Sequence, residues 1–258
     1  MLLSKNSQFL YVHIPKSGGT SVRGALHDFA NQPNRSILSK IRRKVGTHAR
    51  TWKTFNFDNY PHAGMAFAEE LVPEEIFAEL TKFAVVREPL AWVTSYYKHC
   101  LRFHLKGQFA QFYEGMPVSG NLEDFLDWRV EGGFFPTQST ALALKSGSLP
   151  AMTLFQYPNF EKIEEFVKNE FGIRISIGKE NVSPSSQRIE VSQDARAKVE
   201  EIFHDDIRLY ETCSDNAGIF DDKSFKVSSI ARDFINSKRS CLYSFWAPER
   251  DLKVIARR

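Results

Sequence analysis

Cysteine is scarce in this chain and badly spaced for a scaffold. Cys100, Cys213 and Cys241 are the only three in 258 residues, with no Cys-x-x-Cys and no His/Cys pairing. That argues against a disulfide framework or a zinc site and makes a reducing compartment the simpler setting. Net charge is small as well: 34 Lys+Arg against 31 Asp+Glu leave +3. This is too mild a balance for a duplex-binding protein, although a local basic cleft stays open. The opening stretch MLLSKNSQFLYVHIPK lacks the apolar run of a signal peptide or membrane anchor, so a soluble protein is expected. No internal repeat or low-complexity tract stands out. What the chain has in quantity is apolar mass, 42% hydrophobic residues with 22 Phe among them. That suffices for a substantial core, as one large α/β domain more readily than two small ones.

Hydrophobic patterning orders the elements. QFLYVHI reads as a short buried strand, followed by a helix over Gly19–Ala30. A long polar and basic segment, Asn31–Asn59, reads as a substrate-facing loop or a solvated excursion. MAFAEELVPEEIFAEL is helical in two pieces, with Pro73 at the start of the second and Glu74 and Glu75 at its positive end. KFAVVREP is a second strand stopped by Pro89, and LAWVTSYYKHCLRF a helix. Leu105–Gly120 reads as a loop-like insertion and NLEDFLDWRV as a short helix. AMTLFQY is a third strand, NFEKIEEFVKNEF a helix, IRISIG a fourth strand, and SQDARAKVEEIFHDDIRLYETC one long amphipathic helix. Strands alternating with helices predict an α/β fold whose central parallel sheet is covered on both faces. The expected organisation is a single domain over 1–258, with a core of about 9–212 and a C-terminal helical extension of about 213–258.

The chemistry concentrates in His13–Val22, HIPKSGGTSV, at the junction of the first strand and its helix. A turn there aims free backbone N–H groups at one point, at the positive end of the helix, and so binds phosphate or sulfate. Gly18 and Gly19 allow close approach, Lys16 adds charge, and Ser17, Thr20 and Ser21 add hydroxyls. An ordinary glycine-containing turn is the bland alternative. This is not a Walker A loop, because the lysine precedes the glycines. The second strand ends in Arg87, where a P-loop NTPase offers an Asp to magnesium; a cation there attracts another phosphate instead. Ser95, eight residues on, needs two helical turns to face the same site. An anion turn and a separate arginine suggest a ligand with two separated phosphates.

These residues resemble a known family. HIPKSGGTS followed by FAVVREPLAWVTSYY is similar to the two cofactor signatures of the sulfotransferases (family 2). More narrowly, it is similar to the uronyl/heparan 2-O-sulfotransferase branch and its bacterial relatives. It extends over about Phe9–Tyr210, with softer echoes in PTQ (Pro136–Gln138), GKENVSPSS (Gly178–Ser186) and IFHDDIRLY (Ile202–Tyr210). Ala91-Trp92-Val93 departs from the family pattern. The resemblance implies a P-loop-NTPase-like sheet and 3′-phosphoadenosine-5′-phosphosulfate (PAPS) as donor, with the bisphosphate PAP as product and no metal. Lys16, Ser17, Gly18, Gly19, Thr20 and Ser21 would hold the 5′-phosphosulfate end, and Arg87 and Ser95 the 3′-phosphate. Asn181 and Ser183 would lie toward the nucleotide's 3′ end. With no anchor-like run in the opening stretch, a bacterial cytoplasmic enzyme, or one whose anchor was removed, is expected rather than a usual Golgi enzyme.

Sulfuryl transfer needs a base on the acceptor oxygen and positive charge near the leaving oxygen. Lys16 suits the second task. Among seven histidines, His62 is the first choice as base by the family interval to Arg87, and His48 the runner-up. His13 is expected to pack beneath the turn, and His27, His99, His104 and His204 to be surface or helix-packing residues. SKIRRKVGTHARTWK, with its basic residues and Trp52, together with Arg102 and Lys106, would suit an anionic saccharide acceptor, against the alternative of a solvated basic loop. Two other classes remain open: a non-catalytic module holding the bisphosphate, and a P-loop small-molecule kinase. The module is favoured if His62 and His48 both turn away from the anion turn. A nucleic-acid partner is the weakest option, and oligomeric state is unreadable.

Overall fold

The computed structural model describes residues 1–30, 62–107, 113–133, 135–178, 188–213 and 218–237. One five-stranded sheet organises them. β1 (Leu2–Ser4) runs antiparallel to β2 (Phe9–Val12), β2 parallel to β3 (Thr81–Val86), and β3 parallel to β4 (Met152–Gln156). β5 (Gly218–Phe220) closes the far edge antiparallel to β4, so the spatial order equals the chain order. Three of the four expected strands form the parallel centre. The two antiparallel edges were not anticipated, being three residues each and too short to carry a pattern.

Alternate residues of the central strands enter two separate cores, as a sheet covered on both faces requires. Leu10, Val12, Ala84, Val86 and Leu154 join the larger cluster. Phe9, Tyr11, Phe83, Val85 and Phe155 join the smaller one, where Phe166 and Phe171 pack edge-on against Phe83 or its neighbours. The helices are α1 (Gly19–Leu26), α2 (Met65–Leu71), α3 (Glu74–Glu79), α4 (Pro89–Leu105), α5 (Leu122–Glu131), α6 (Gln138–Leu142), α7 (Phe160–Phe171), α8 (Gln193–Ile202), α9 (His204–Thr212) and α10 (Ser229–Asn236). Among the described residues, no helix is long and apolar enough to cross a membrane.

Two expectations fail for packing reasons. Ile173–Gly178 is irregular, not a strand. β5 already occupies the free edge of β4, so this segment instead lays Ile173 and Ile177 on the smaller core, while Glu164 accepts the Ile177 N–H at 2.6 Å. The long C-terminal helix breaks at Phe203, which is fully buried against Trp92 and Phe135 and serves as the end of α8 and the start of α9. The segment expected to be a helical extension supplies β5 as well as α10.

Candidate active site

The β2–α1 junction is held in a conformation that its own sequence would not choose. Lys16 takes a left-handed backbone (φ 65°), a state that costs a non-glycine residue about 1–3 kcal/mol. Two donors from the next βα unit clamp it there: Trp92 Nε1 donates to the Pro15 carbonyl at 2.7 Å, and Arg87 Nη1 to the Lys16 carbonyl at 3.0 Å. Gly18 follows at φ 76° as the N-cap of α1, where a Cβ would come within 2.8 Å of the Phe160 ring. At Gly19 a Cβ would overlap the His13 ring. Only glycine fits either position.

α1 starts with no side-chain cap and no acidic residue in its first turn. Its neighbour α4 is closed by Glu88, which accepts from the Leu90 and Ala91 N–H groups at 3.0 and 2.6 Å behind Pro89. The uncapped dipole of α1 therefore faces a cleft of about 1300 Å³, lined by Lys16, Gly18, Gly19, Thr20, Ser21, His62, Arg87, Ser95 and His99. Of the catalytic and cofactor candidates among the described residues, all but Ser17 line this cleft; Arg102 and Lys106, expected on the acceptor side, are not among its lining residues. The Ser17 side chain is fully buried and its hydroxyl donates to Gln138 Oε1 at 3.3 Å, so it braces the turn from behind. His48, Asn181, Ser183 and the basic segment around Trp52 lie outside the described residues.

Gln138 ties the turn to Arg87. Its Oε1 accepts the Arg87 N–H at 2.9 Å and its Nε2 donates to the Arg87 carbonyl at 2.8 Å, while the same Oε1 takes the Ser17 hydroxyl. Asp206, buried on α9, fixes α6 in turn by accepting the Gln138 and Ser139 N–H groups at 2.8 and 2.7 Å. The PTQ and IFHDDIRLY stretches thus meet in one brace. The Arg87 guanidinium also lies over the Tyr157 ring at 4.8 Å.

Cations gather at the turn, with Lys16, Arg87 and Lys98 on the cleft, while Glu88, Glu161 and Glu164 also line it. Burial lowers the Lys16 ammonium from its ordinary pKa, and the positive charges of Arg102 and Arg87 lower it further. A bound anion would relieve that repulsion. Burial, and then the positive amino terminus, hold His62 down at about 4; hydrogen bonding to the His13 backbone works the other way, and Arg23 and Lys16 add smaller lowering effects. His13 is displaced further in the same direction, first by burial and then by His62. Both imidazoles are therefore neutral near pH 7.

His99 is the residue that sequence reasoning misplaced. It was expected at the surface or in helix packing, yet it lines the cleft, with its pKa lowered to about 4 by burial and then by Lys16 and Arg102. Arg102 Nη2 sits 3.3 Å from its Nδ1; as a guanidinium can only donate, the proton of the neutral ring lies on Nε2. The signal was present: His99 follows Ser95 by four residues, one turn along the same face of α4.

A mixed α/β sheet with a cationic, glycine-lined turn at the end of a central strand frames the candidate site. The family model described as the sulfotransferase family matches residues 1–129, and the chain belongs to that family, in its family 2 branch. Neither the comparison with curated proteins nor that with solved structures yields a match.

Proposed function

We propose that the protein transfers a sulfuryl group from PAPS to a hydroxyl of a saccharide acceptor. Family membership supports the chemistry. The observation that carries the rest is the convergence of the Lys16–Ser21 turn, the Arg87/Ser95 pair and His62 on one cleft. At about 1300 Å³ the cleft exceeds the roughly 300–1000 Å³ of an ordinary small-molecule site, which suits a nucleotide together with an acceptor. When bound, the donor supplies an activated sulfuryl group: the acceptor oxygen bonds to sulfur, the phosphate–sulfur bridge breaks, and the bridging oxygen leaves with the bisphosphate.

The chain's own residues do the remainder. Lys16 and the N-terminus of α1 place positive charge where the leaving oxygen develops its negative charge. Arg87 and Ser95 hold the 3′-phosphate, with Asn181 and Ser183 toward the same end. His62 removes the acceptor proton, with His48 as the other candidate, and Lys98 and Arg102 on α4 favour an acceptor that carries negative charge. A non-catalytic bisphosphate-binding module is the second reading; the presence of His62 on the same cleft as Lys16 weighs against it.

Calorimetric titration of adenosine 3′,5′-bisphosphate, with and without magnesium and beside ATP, tests the donor. The expected result is tight, metal-independent binding of the bisphosphate, weakened on the order of 100-fold in Arg87→Ala through loss of charge-assisted hydrogen bonds. A preference for ATP with magnesium, or no binding, would overturn this reading.

A further inference from the structure

His13 has no part in the chemistry above, although it is the most enclosed ionisable group at the cleft. Its side chain is 6% exposed. Its ring centroid lies 4.6 Å from that of His62, with the planes 53° apart, and Tyr11 stacks near it at 6.3 Å. The Nδ1 atoms of both histidines are buried and have no hydrogen-bond partner. Folded proteins leave few buried polar atoms unpaired, and two within one contacting pair of rings call for a physical account. Gly19 supplies the second observation: the first residue of α1 abuts the His13 ring so closely that no Cβ fits between them. His13 therefore touches the anion turn on one side and the proposed base on the other.

We infer that His13 is the positioning residue of His62, the two imidazoles forming a couple that carries one proton between them. The inference rests on the sulfuryl-transfer reading. One proton leaves the acceptor hydroxyl and one His62 ring nitrogen gains it. The neutral His13 ring, which has a lone pair on one nitrogen, shares that proton and keeps His62 seated against the turn. The proton then passes to water as product departs, so the balance needs no further acid. Burial and the neighbouring positive charges, Arg23 on α1 and the amino terminus for both rings and Lys16 in the turn for His62, keep both rings neutral at rest. Charge on His62 disfavours charge on His13, so the couple carries no more than one proton.

The test is a histidine-resolved NMR titration of the full-length protein and its His13→Phe and His13→Asn variants, with kcat–pH profiles and bisphosphate affinity measured on the same samples. His13→Phe keeps the bulk and removes both nitrogens. His62 should then titrate about one unit lower, and kcat should fall roughly tenfold with its acid limb displaced the same way. The bisphosphate Kd should stay within about twofold, since a positioning role spares the ground-state anion contacts. His13→Asn, which retains an acceptor, should recover much of both. An unmoved His62 titration, or equal defects in the Phe and Asn variants, would overturn the couple and leave His13 as packing. Failure of the parent protein to bind the bisphosphate would overturn the functional reading itself, and with it the role.

Discussion

The two halves of the cleft are built to opposite rules. In the anion turn, backbone groups at Pro15, Lys16 and Arg87 are pinned by named partners, and the brace through Gln138 and Asp206 extends that order into two further helices. In the histidine floor a few ångströms away, two ring nitrogens sit buried without partners. Holding an anion calls for dipoles fixed in advance, because reorganisation during reaction is what costs rate. Moving a proton calls for a group whose hydrogen bonding is free to change. On the proposed function, the contrast separates residues that would place the donor from residues that would take the proton, and variants can pull the two apart.

The largest effect is expected at Lys16. Lys16→Met keeps the stem and removes the charge facing the leaving oxygen, so the single-turnover rate should fall on the order of 1000-fold. Stability should not follow. The ammonium is disfavoured by burial and by Arg102 and Arg87, so thermal unfolding should occur at the same temperature or higher. A parallel loss of rate and stability would break the distinction, making Lys16 a structural residue of the turn.

The histidine floor should announce itself in the pH dependence of stability. In the folded state burial holds His62 near 4 against an ordinary value of 6.5, and His13 is displaced the same way. Between those pH values the unfolded chain binds more protons than the folded one, so stability rises with pH. The contribution is fully present above about 6.5 and lost as pH falls toward 4, amounting to roughly 3 kcal/mol for His62. Urea unfolding at pH 7, 6, 5 and 4 should show that decline, and His62→Gln should make it shallower, leaving the shares of His13 and His99. An unchanged slope in the variant would mean that His62 is solvated in the folded protein and that the floor is not dry.

How much of this was legible in the sequence follows from where the determining contacts lie. The three central strands carry continuous apolar runs, and the anion turn carries its chemistry in adjacent residues, so both could be read from short windows. Ser17 could not, since its hydroxyl faces Gln138 across 121 positions. The brace joins Arg87, Gln138 and Asp206, whose sequence echoes were noticed with no means of telling that they meet. Ile173–Gly178 has a strand's composition, and only the occupancy of the sheet edge by β5 denies it that role. His99 was different: one turn beyond Ser95 on α4, it was accessible to helical geometry and was missed for want of applying it.

The smallest effect, and the sharpest control, is expected from Trp92. Its indole is fully buried, stacked on Tyr96 at 5.4 Å and packed near Phe203 at 5.8 Å, and its Nε1–H reaches Pro15 at 2.7 Å. Trp92→Phe keeps an aromatic ring in that stack but removes the donor and leaves a small void. The lost hydrogen bond and the void together should cost about 2 kcal/mol of unfolding free energy. With one of its two clamps gone, the left-handed backbone at Lys16 is less firmly held, so bisphosphate affinity should drop a few-fold, within the ~1 kcal/mol that one neutral hydrogen bond is worth. The titration of His62 should not move, because no bond of the clamp reaches the histidine floor. Calorimetry and NMR on one sample would show both. A shift at His62 would mean that the fixed wall and the proton-accepting floor are a single mechanical unit, with Gly19 against His13 as the joint that couples them.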